Sequence, residues 1–574
     1  RFPLLKISRV HPESNSEVRT EFDYNQALGL IIKKTITAPN YTPAPEARVE
    51  RYEYNPEYGY RFMTRQFNPL NHAVESKIDP VKGTIVQSFD ANNFNTDFGY
   101  DSFNRPVKEV SYDGIITSSV LRWANGHQDS KPGALWYKWS CASGQNPQLI
   151  FHDRLGREIR AVSYTPSGQK IYIEKEYDHL GRLVMVSDPH LPGETQYQIT
   201  ETTYDELNRP KLVNYPGDIT ITNDHGKTTK KETDAAGRLV TSTDEDNKYV
   251  KYTYYSDGKL YTTKVNGMAS TLVTLEYDIN GNKTKTTDPS WGTNISRYNP
   301  FNELMYSEDA RQNKYTYTYD VLGRTLSRQN LTHATDLTNW QYEETAGKLG
   351  LLKSESNLAG HMKLYTYGEF NRLVKITEKL DADGMGHDVS YTHDELGRVS
   401  LMTYPDGLTL SYRYTGDGVL KKIIRERDAV VVWEGIAYND KGQLTQSKRG
   451  RNILLDKTYY PETGLLQTTI CNNVQSFEYV YDNLGNMTDR YDHFHKTNNQ
   501  SLHEEFGYDD RNQLTSVTLN GAYPRIFEYD ALGNIESNPD AGAFDYTNPD
   551  KPYQLASLTP NNNLAPEYYT PQVI

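Results

Sequence analysis

The chain has 574 residues and a formal net charge of −13, and only 36% of the residues are hydrophobic, yet it contains 46 tyrosines against 16 phenylalanines. This richness in aromatic side chains argues against intrinsic disorder, because disordered chains are depleted in aromatics. The acidic balance lacks the basic stripe of a nucleic-acid-binding protein. No apolar run approaches the roughly 18 residues of a membrane-spanning helix. We therefore predict no nucleic-acid partner and no membrane-spanning segment.

Residues 1–94 are predicted to be a weakly repeating opening segment of a longer array. The chain begins Arg1-Phe2-Pro3 without an initiator methionine or a signal segment. We interpret it as an internal piece of a longer protein, with any secretion signal upstream. Residues 55–60 and 79–83 look like weak copies of a phrase that dominates the rest of the chain.

Residues 95–537 repeat a short phrase built around Tyr-Asp. Residues 177–182 read Tyr-Asp-His-Leu-Gly-Arg and residues 319–324 read Tyr-Asp-Val-Leu-Gly-Arg. The step between copies is close to that from Asp509 to Asp530, 21 residues. A near-fixed period indicates one structural unit copied many times. Clear copies are anchored at Asp101, Asp153, Asp178, Asp205, Asp234, Asp278, Asp320, Asp394, Asp482, Asp509 and Asp530, and degenerate copies at Tyr255, Asn299, Tyr342, Gly368, Tyr414, Asn439 and Tyr460.

Each unit is predicted to be strand, turn, strand. Residues 315–319 alternate tyrosine and threonine, the pattern of a half-buried strand. In the turn, the Asp320 side chain can accept backbone amides just ahead of it, and Gly323 supplies the positive φ. About eighteen units predict on the order of 35 short antiparallel strands and an all-β fold. Other residues predicted at the positive-φ position are Asn208, Asn371 and Gly485, and second turns are predicted at Asp188-Pro189, Asn266-Gly267, Asp288-Pro289 and Asn520-Gly521.

The phrase Tyr-Asp-x-Leu-Gly-Arg at this spacing resembles the YD repeat of the RHS family. That family includes bacterial Rhs polymorphic toxins, the B and C subunits of insecticidal ABC toxin complexes, and the related shell of animal teneurins. The resemblance is clear over residues 95–537 and weak before them. It implies a β-sheet strip that spirals into a hollow shell, or cocoon. In the toxin branches, such a shell holds an unfolded or toxic C-terminal polypeptide until delivery.

Residues 538–574 are rich in proline and asparagine and are predicted to be a tail. The resemblance implies that a core-associated segment follows the array and carries an aspartate-dependent self-cleavage. No such segment is found before Ile574, so the tail is interpreted as truncated ahead of it. Self-cleavage and toxin activity are therefore assigned to no residue of this chain.

The candidate chemistry is sparse. The chain has no nucleophile elbow, phosphate-binding loop, zinc-protease motif or dinucleotide fingerprint. His493, His495 and His503 form the densest histidine group, but His493 and His495 are expected to share a strand face without a third ligand. Residues 381–388 faintly resemble a calcium loop but lack its spacing and closing glutamate, so an ordinary turn is predicted. We predict no catalytic, cofactor-binding or metal-binding residues.

Two further residue types bear on function. Cys141 and Cys471 are far apart and lack CxxC or histidine neighbours, so neither a disulfide framework nor a zinc site is predicted. Glycosylation sequons fall near the frequency expected by chance, and they matter only if the host glycosylates secreted proteins. The sequon asparagines are Asn40, Asn282, Asn294, Asn330, Asn486 and Asn499.

The leading hypothesis is a non-enzymatic shell segment of a large secreted or surface-delivered toxin. Its partners would be the enclosed C-terminal effector of the same polypeptide and a delivery or secretion component. The alternative is a cell-surface adhesion or carbohydrate-binding repeat protein, in which exposed tyrosine and tryptophan side chains stack on surface glycans. An enzyme with an unrecognised site is a third and weaker interpretation, and one deep pocket with converging ionisable groups would favour it.

Overall fold

The computed structural model describes residues 4–194, 197–204, 210–214, 230–243, 249–265, 271–289, 291–380, 384–450, 453–471, 474–497, 500–509, 511–530, 532–547 and 553–561. Several sequence predictions lie outside these described residues. They are the anchor Asp205, the turn residues Asn208, Asn266 and Gly267, the first part of the calcium-like stretch at 381–383, the sequon Asn499, and residues 548–552 and 562–574 of the predicted tail.

The described residues contain 48 β-strands and two short 3₁₀ turns, Pro56–Tyr58 and Glu369–Asn371, so the all-β prediction is confirmed. Strands β1–β13 are Ile7–Val10, Val18–Tyr24, Ile31–Thr37, Arg48–Tyr54, Met63–Phe67, Ala73–Ile78, Ile85–Phe89, Asn95–Tyr100, Pro106–Ser111, Ile116–Trp123, Trp136–Ala142, Gln148–His152 and Glu158–Tyr164. Strands β14–β23 are Lys170–Tyr177, Leu183–Ser187, Ile199–Tyr204, Pro210–Asn214, Lys230–Thr233, Leu239–Thr243, Tyr249–Tyr254, Leu260–Val265, Val273–Tyr277 and Lys283–Asp288. Strands β24–β35 are Gly292–Tyr298, Leu304–Glu308, Lys314–Tyr319, Thr325–Asn330, Leu337–Tyr342, Leu352–Asn357, Met362–Tyr367, Leu373–Lys379, Gly386–His393, Val399–Thr403, Thr409–Tyr414 and Leu420–Arg425. Strands β36–β48 are Val430–Tyr438, Leu444–Arg449, Ile453–Tyr459, Leu466–Cys471, Gln475–Tyr481, Met487–Thr497, Gln500–Tyr508, Leu514–Leu519, Arg525–Ile526, Glu528–Tyr529, Ile535–Asn538, Gly542–Asp545 and Ser557–Pro560.

More strands form than the sequence predicts, largely because the opening segment is regular. Residues 1–94 contribute β1 to β7, although their turn phrases depart from Tyr-Asp-x-Leu-Gly. Hairpin geometry is kept there by other residues with positive φ, such as Asn71 at 68° and Asn93 at 65°. The predicted domain bounds of 1–94, 95–537 and 538–574 remain a prediction.

The chain divides into two compact units. The first comprises residues 1–163, 276–285 and 293–430, and the second comprises residues 164–275, 286–292 and 431–574. In the first unit, each strand from β1 to β13 pairs antiparallel with the next, and so does each strand from β24 to β35. The second unit is built in the same way from β14–β17, β18–β22, β36–β44 and β45–β48.

Most strand residues are half-buried, and the best-buried apolar group in the first unit lies on β11–β13. Phe151 and Val162 are almost fully buried there, beside Tyr137, Leu149 and Ile159. The rings of Tyr137 and Phe151 stack with centroids 5.1 Å apart. Elsewhere tyrosine and threonine alternate, so the sheet buries rings while its hydroxyl groups remain available for hydrogen bonds.

The predicted turn chemistry is confirmed at Asp320. The Asp320 carboxylate oxygen Oδ1 accepts the backbone N–H groups of Leu322 and Arg324, each at 2.9 Å. The Gly323 backbone, with φ of 83°, donates to the Asp320 carbonyl at 2.9 Å. The Arg324 Nε donates to the second carboxylate oxygen at 2.6 Å, which closes a ring around the turn.

The side chain four positions after the anchor complements the anchor as a hydrogen-bond donor or acceptor. Aspartate anchors face arginine or asparagine donors, as in Asp482, whose Oδ2 accepts from Asn486 Nδ2 at 2.9 Å. Asparagine anchors face acceptors instead, because their Nδ2 must donate: Asn299 to Glu303 at 2.6 Å and Asn439 to Gln443 at 2.8 Å. The substitution of asparagine for aspartate in degenerate copies therefore conserves the ring. The aspartate–arginine turns are Asp101–Arg105, Asp153–Arg157, Asp178–Arg182, Asp234–Arg238, Asp320–Arg324 and Asp394–Arg398.

The tyrosine of the phrase ties each repeat to the one before it. Tyr319 follows a register shift in the pairing of β26 with β27. Its hydroxyl donates at 2.8 Å to the carbonyl of Leu304, the first residue of β25. Burial raises the pKa of the Tyr319 hydroxyl, so it stays a donor. The Arg324 guanidinium in turn lies over the ring of Tyr342 in the next repeat, 4.2 Å from its centroid. The same hydroxyl-to-carbonyl bond joins Tyr100 to Ile85, Tyr204 to Leu183, Tyr254 to Leu239, Tyr367 to Leu352, Tyr414 to Val399, Tyr459 to Leu444, Tyr508 to Met487 and Tyr529 to Leu514.

This ring predicts the effect of substitutions at Asp394. Asp394→Ala leaves the amides of Leu396 and Arg398 without their acceptor and is expected to cost about 1–3 kcal/mol. The double variant Asp394→Asn with Arg398→Gln copies the Asn439–Gln443 pair and is expected to retain most of that stability. Chemical denaturation and hydrogen exchange of the 394–398 turn measure the difference. Equal losses for the two variants would contradict the ring.

Candidate functional site

The turns of the first unit alternate between two edges of its sheets, because successive turns of an antiparallel meander lie at opposite ends of the strands. We call the edge that carries the tyrosine–aspartate turns the YD edge and the opposite edge the return edge. The YD edge includes the turns that begin at Asp79, Asp101, Asp153, Asn299, Glu343, Gly368, Asp394 and Thr415. The return edge includes the loop 38–47, the turns that begin at Asp90 and Ser111, and residues 143–147.

The return edge of residues 38–147 contacts the YD edge of residues 299–418, and we call this contact the seam. At one end, Arg48 forms an ion pair with Glu303, and its guanidinium lies 4.3 Å from the Phe301 ring centroid. Further along, Asn92 binds the backbone of Leu349 twice, accepting its N–H at 2.6 Å and donating to its carbonyl at 3.3 Å. Both contacts place one side chain of the return edge against a turn of the YD edge.

The middle of the seam is its most elaborate part. The Tyr112 ring stacks on the Phe94 ring with centroids 4.1 Å apart, and it makes a tilted contact with the Phe370 ring at 5.4 Å. The Tyr112 hydroxyl donates to the Phe370 carbonyl at 3.0 Å. Asp113 pairs with Arg372 at 3.0 Å, and both side chains are only 18% exposed. Burial by itself raises the pKa of Asp113, but hydrogen bonds from Ser111 and Arg372 outweigh it and hold that pKa below its usual value. The pair is therefore charged at neutral pH.

At the far end of the seam, the backbone of the return edge lies close to a side chain of the YD edge. Gly144, with φ of 70°, lies against the Leu396 side chain so closely that a Cβ atom at Gly144 would overlap Leu396 Cδ1. Two residues later, Asn146 donates to Asp417 at 3.0 Å. The hydrogen-bonded partners along the seam are separated by 255 to 271 residues. That offset corresponds to about twelve repeats of 21 residues.

A contact with a similar offset occurs within the second unit. Lys441 forms an ion pair with Asp188 at 2.6 Å. Pro166 lies 3.6 Å from where a Cβ of Gly442 would stand. Asp188 lies at a predicted second turn and Asn439 anchors the turn that holds Lys441, so here too one edge meets the other.

The third position of many YD-edge turns is apolar whether or not another edge covers it, although Asp417 stands there in the turn that begins at Thr415. Phe301, Phe370 and Leu396 are half-buried within the seam. At the same position Phe103 is 78% exposed and Leu155 is 68% exposed. The YD edge of the first strands thus presents the kind of side chain that the seam covers elsewhere.

One pocket lies beside the seam in the first unit. It encloses about 210 Å³ between the loop 38–47 and the turns 299–303 and 318–321. Three of its charged groups have partners, since Arg48 pairs with Glu303 and Asp320 pairs with Arg324, and Glu46 also lines it. The aromatic rings of Tyr41, Phe301 and Tyr319 complete its lining.

The predicted histidine group is divided by the structure. His493 lies 3.0 Å from Glu478 and 2.8 Å from Ser501, whereas His495 turns to Asp492 at 2.7 Å. The register of β41 on β42 shifts between Asp492 and Lys496, which separates the surroundings of the two histidines. His503 instead joins two carboxylates from the paired strands, Asp489 and Glu505. Spacing in the sequence did not reveal these partners.

The other candidate residues form turn or cross-strand hydrogen bonds or are free thiols. In the described part of the calcium-like stretch, Asp388 accepts from Thr377 at 2.6 Å and from Lys375 at 3.2 Å. Asn330, a sequon residue, is buried, and its side-chain oxygen holds the Thr332 and His333 amides. Cys141 is half-buried, Cys471 is buried, and both are free thiols. The sequon asparagines Asn40, Asn282 and Asn486 donate through their Nδ2 atoms to Glu17, Asp278 and Asp482.

The close approach at Gly144 gives a matched test of the seam. Gly144→Ala and Gly156→Ala both force alanine into a positive φ, of 70° and 79°, but a Cβ at Gly156 meets only open space. Gly144→Ala is expected to destabilise the chain by about 1–3 kcal/mol more, because Leu396 must move. The free energies of unfolding from chemical denaturation check this. Equal costs would mean that the seam is absent in solution.

Comparison with known proteins supports the fold. No family model matches the chain, and no curated protein matches it. The crystal structure of TcdB2-TccC3 is similar over 92% of this chain and 34% of that chain, with a TM-score of 0.76 and 15% identity. The complex TcdB2-TccC3-Cdc42 matches over 92% and 36%, with a TM-score of 0.75 and 14% identity. The Tc holotoxin pore of Photorhabdus luminescens matches over 93% and 36%, with a TM-score of 0.73 and 14% identity.

The chain spans about a third of the length of those toxin chains. Within the described residues, no helix has the length and apolar character of a membrane span. The similarity extends over nearly all of this chain. The resemblance to the RHS/YD-repeat family is therefore confirmed at the level of the fold.

Proposed function

We propose that this chain is a non-enzymatic wall segment of a Tc-like toxin shell, which encloses and delivers a C-terminal effector of the same polypeptide. The observation that carries the proposal is the fold shared with TcdB2-TccC3 over 92% of the chain. Because the chain spans only about a third of those chains, it supplies one part of such a wall. A delivery component and a secreted or surface location belong to the same proposal.

The chemistry of the strands suits a wall that confines a guest without binding it tightly. An apolar lining would hold unfolded polypeptide through the hydrophobic effect and hinder its release. Here the strands expose a mixture of hydroxyl, amide and charged groups, as in β26, which reads Lys-Tyr-Thr-Tyr-Thr-Tyr. Consecutive pairing also occupies the backbone groups that would otherwise promote aggregation at strand edges.

The seam supports a wall rather than a single flat sheet. In the first unit it joins strands about twelve repeats apart through hydrogen bonds, an ion pair and aromatic contacts. Each contact is small, and their number along the edge makes the stabilisation collective. A wall built in this way gains stability from every added repeat.

The aspartates that recur in the turns are poorly suited to catalysis, which supports a non-enzymatic role. A general acid or base needs one carboxyl with a pKa near the working pH. At Asp101, the hydrogen bond from the Arg105 side chain and those from backbone amides lower the pKa instead. At Asp234, the Arg238 backbone and side chain do the same. These groups are held as anions that stabilise turns.

The alternative, carbohydrate recognition at a cell surface, rests on exposed aromatic side chains. Trp123 is 74% exposed and Trp291 is 77% exposed. Trp123 faces Trp136 across the β10–β11 pair, and Trp136 stacks on His152 at 3.9 Å. An indole row of this kind offers a flat apolar platform.

The test uses the full-length native protein. Denaturing mass spectrometry is run beside native size analysis, and a parallel sample is digested with protease before and after denaturation. We expect a C-terminal piece that remains with the shell until denaturation and resists protease until then. A C-terminal region that is digested equally fast in both samples would contradict enclosure and favour the surface-recognition alternative.

A further inference from the structure

Three side chains with metal-binding atoms converge on the β41–β42 pair of the second unit. Asp489 lies directly opposite Glu505, and Tyr491 lies opposite His503. His503 Nε2 is 2.8 Å from Asp489 Oδ1, and His503 Nδ1 is 3.6 Å from Glu505 Oε1. One ligand atom from each of the three residues lies within 4.8 Å of the other two. The two carboxylates contact different ring nitrogens of His503, so an ion bound at Nε2 beside Asp489 reaches bonds of about 2.0–2.2 Å when the Glu505 side chain turns toward it.

The imidazole of this cluster is held in position by its surroundings. The Tyr491 ring stacks on it with centroids 4.2 Å apart and planes 9° from parallel. The His503 backbone N–H also donates to Asn520 Oδ1 at 2.8 Å. The strands pair without a shift from Asp489–Glu505 to Asp492–Leu502, so the three side chains stand on regular backbone. A ligand fixed by its neighbours loses little freedom on binding an ion.

The electrostatics of this face favour a cation. Like charges directly opposite each other on paired strands are destabilising, and Asp489 and Glu505 are such a pair. A third carboxylate, Glu478, lies nearby and contacts His493 at 3.0 Å. The neighbouring Arg490 is paired with Glu504.

We propose that Asp489, His503 and Glu505 bind a divalent transition-metal ion of the zinc class. One imidazole and two carboxylates are donors that zinc accepts, and three protein ligands leave a fourth position for water. Calcium and magnesium prefer all-oxygen sites, so the imidazole selects against them. The ion takes the place of the hydrogen bond between His503 and Asp489 and neutralises the two carboxylates. Its role is to clamp two strands, and it does not depend on the proposed function.

The sequence alone predicts no metal here because the ligands come from two strands. His503 belongs to the predicted histidine group and Glu505 follows it two residues later on β42, but Asp489 becomes its partner only through the register of β41 on β42. Neither His493 nor His495 is a ligand in this cluster, because His493 contacts Glu478 and His495 contacts Asp492. The candidate site is therefore a product of the fold.

Zinc titration of the 574-residue chain tests the proposal, with calorimetry or a competing chelator as the readout. The variants are His503→Gln and Glu505→Gln, and the control is His495→Gln, which removes an exposed imidazole from the same strand pair. Glu505 is 54% exposed, so its substitution is expected to leave folding intact. Circular dichroism checks the fold of each variant.

We expect the unmodified chain to bind one more zinc ion than His503→Gln, or to bind it at least about tenfold more tightly. Glu505→Gln is expected to weaken the same binding event, and His495→Gln to leave it unchanged. Magnesium at the same concentration is expected not to compete. Zinc binding that is absent from the unmodified chain, or unaffected by both His503→Gln and Glu505→Gln, would overturn the proposal.

Discussion

The closed ring of hydrogen bonds around the turns anchored by aspartate or asparagine is the constraint on which the rest of the fold depends. One carboxylate or amide oxygen holds two backbone amides, and the side chain four positions later closes the ring, as Arg398 does at Asp394. The ring fixes the length of the turn and so the register of both strands. The preceding tyrosine then bonds back to the previous hairpin, as Tyr414 does to Val399. A chain with few apolar residues can fold because this polar unit is repeated.

The seam depends on the regular turns. Residues some 255 to 271 positions apart can meet only if the intervening hairpins have a uniform width and step. Regular turns provide that uniformity, and the YD edge then presents an apolar side chain at a constant spacing. Covered positions such as Phe370 and exposed ones such as Phe103 differ in what lies against them, not in their own residue type.

The sequence predicted the local structure well and the long-range contacts poorly. The side chain of Asp320 and the positive φ of Gly323 are enough to form their turn, so a phrase of six residues was sufficient to predict it. The partnership of Asn92 with Leu349 could not be predicted, because one asparagine and a backbone group have no distinctive pattern. The opening segment was judged weak because its turns use other residues, although its strands are regular. The prediction that His493 and His495 lack a third ligand considered only the spacing of the histidines, whereas Asp489 reaches His503 through strand register.

The most direct test of this account is cross-linking across the seam. Cysteines are placed at Asn92 and Leu349 in a chain whose Cys141 and Cys471 are replaced by alanine, and a short thiol cross-linker is added. The account predicts efficient cross-linking within one chain, and little for a control pair at Asn92 and Leu396, two repeats further along. Equal cross-linking of the two pairs, or none at Asn92 and Leu349, would contradict an edge aligned about twelve repeats from its partner.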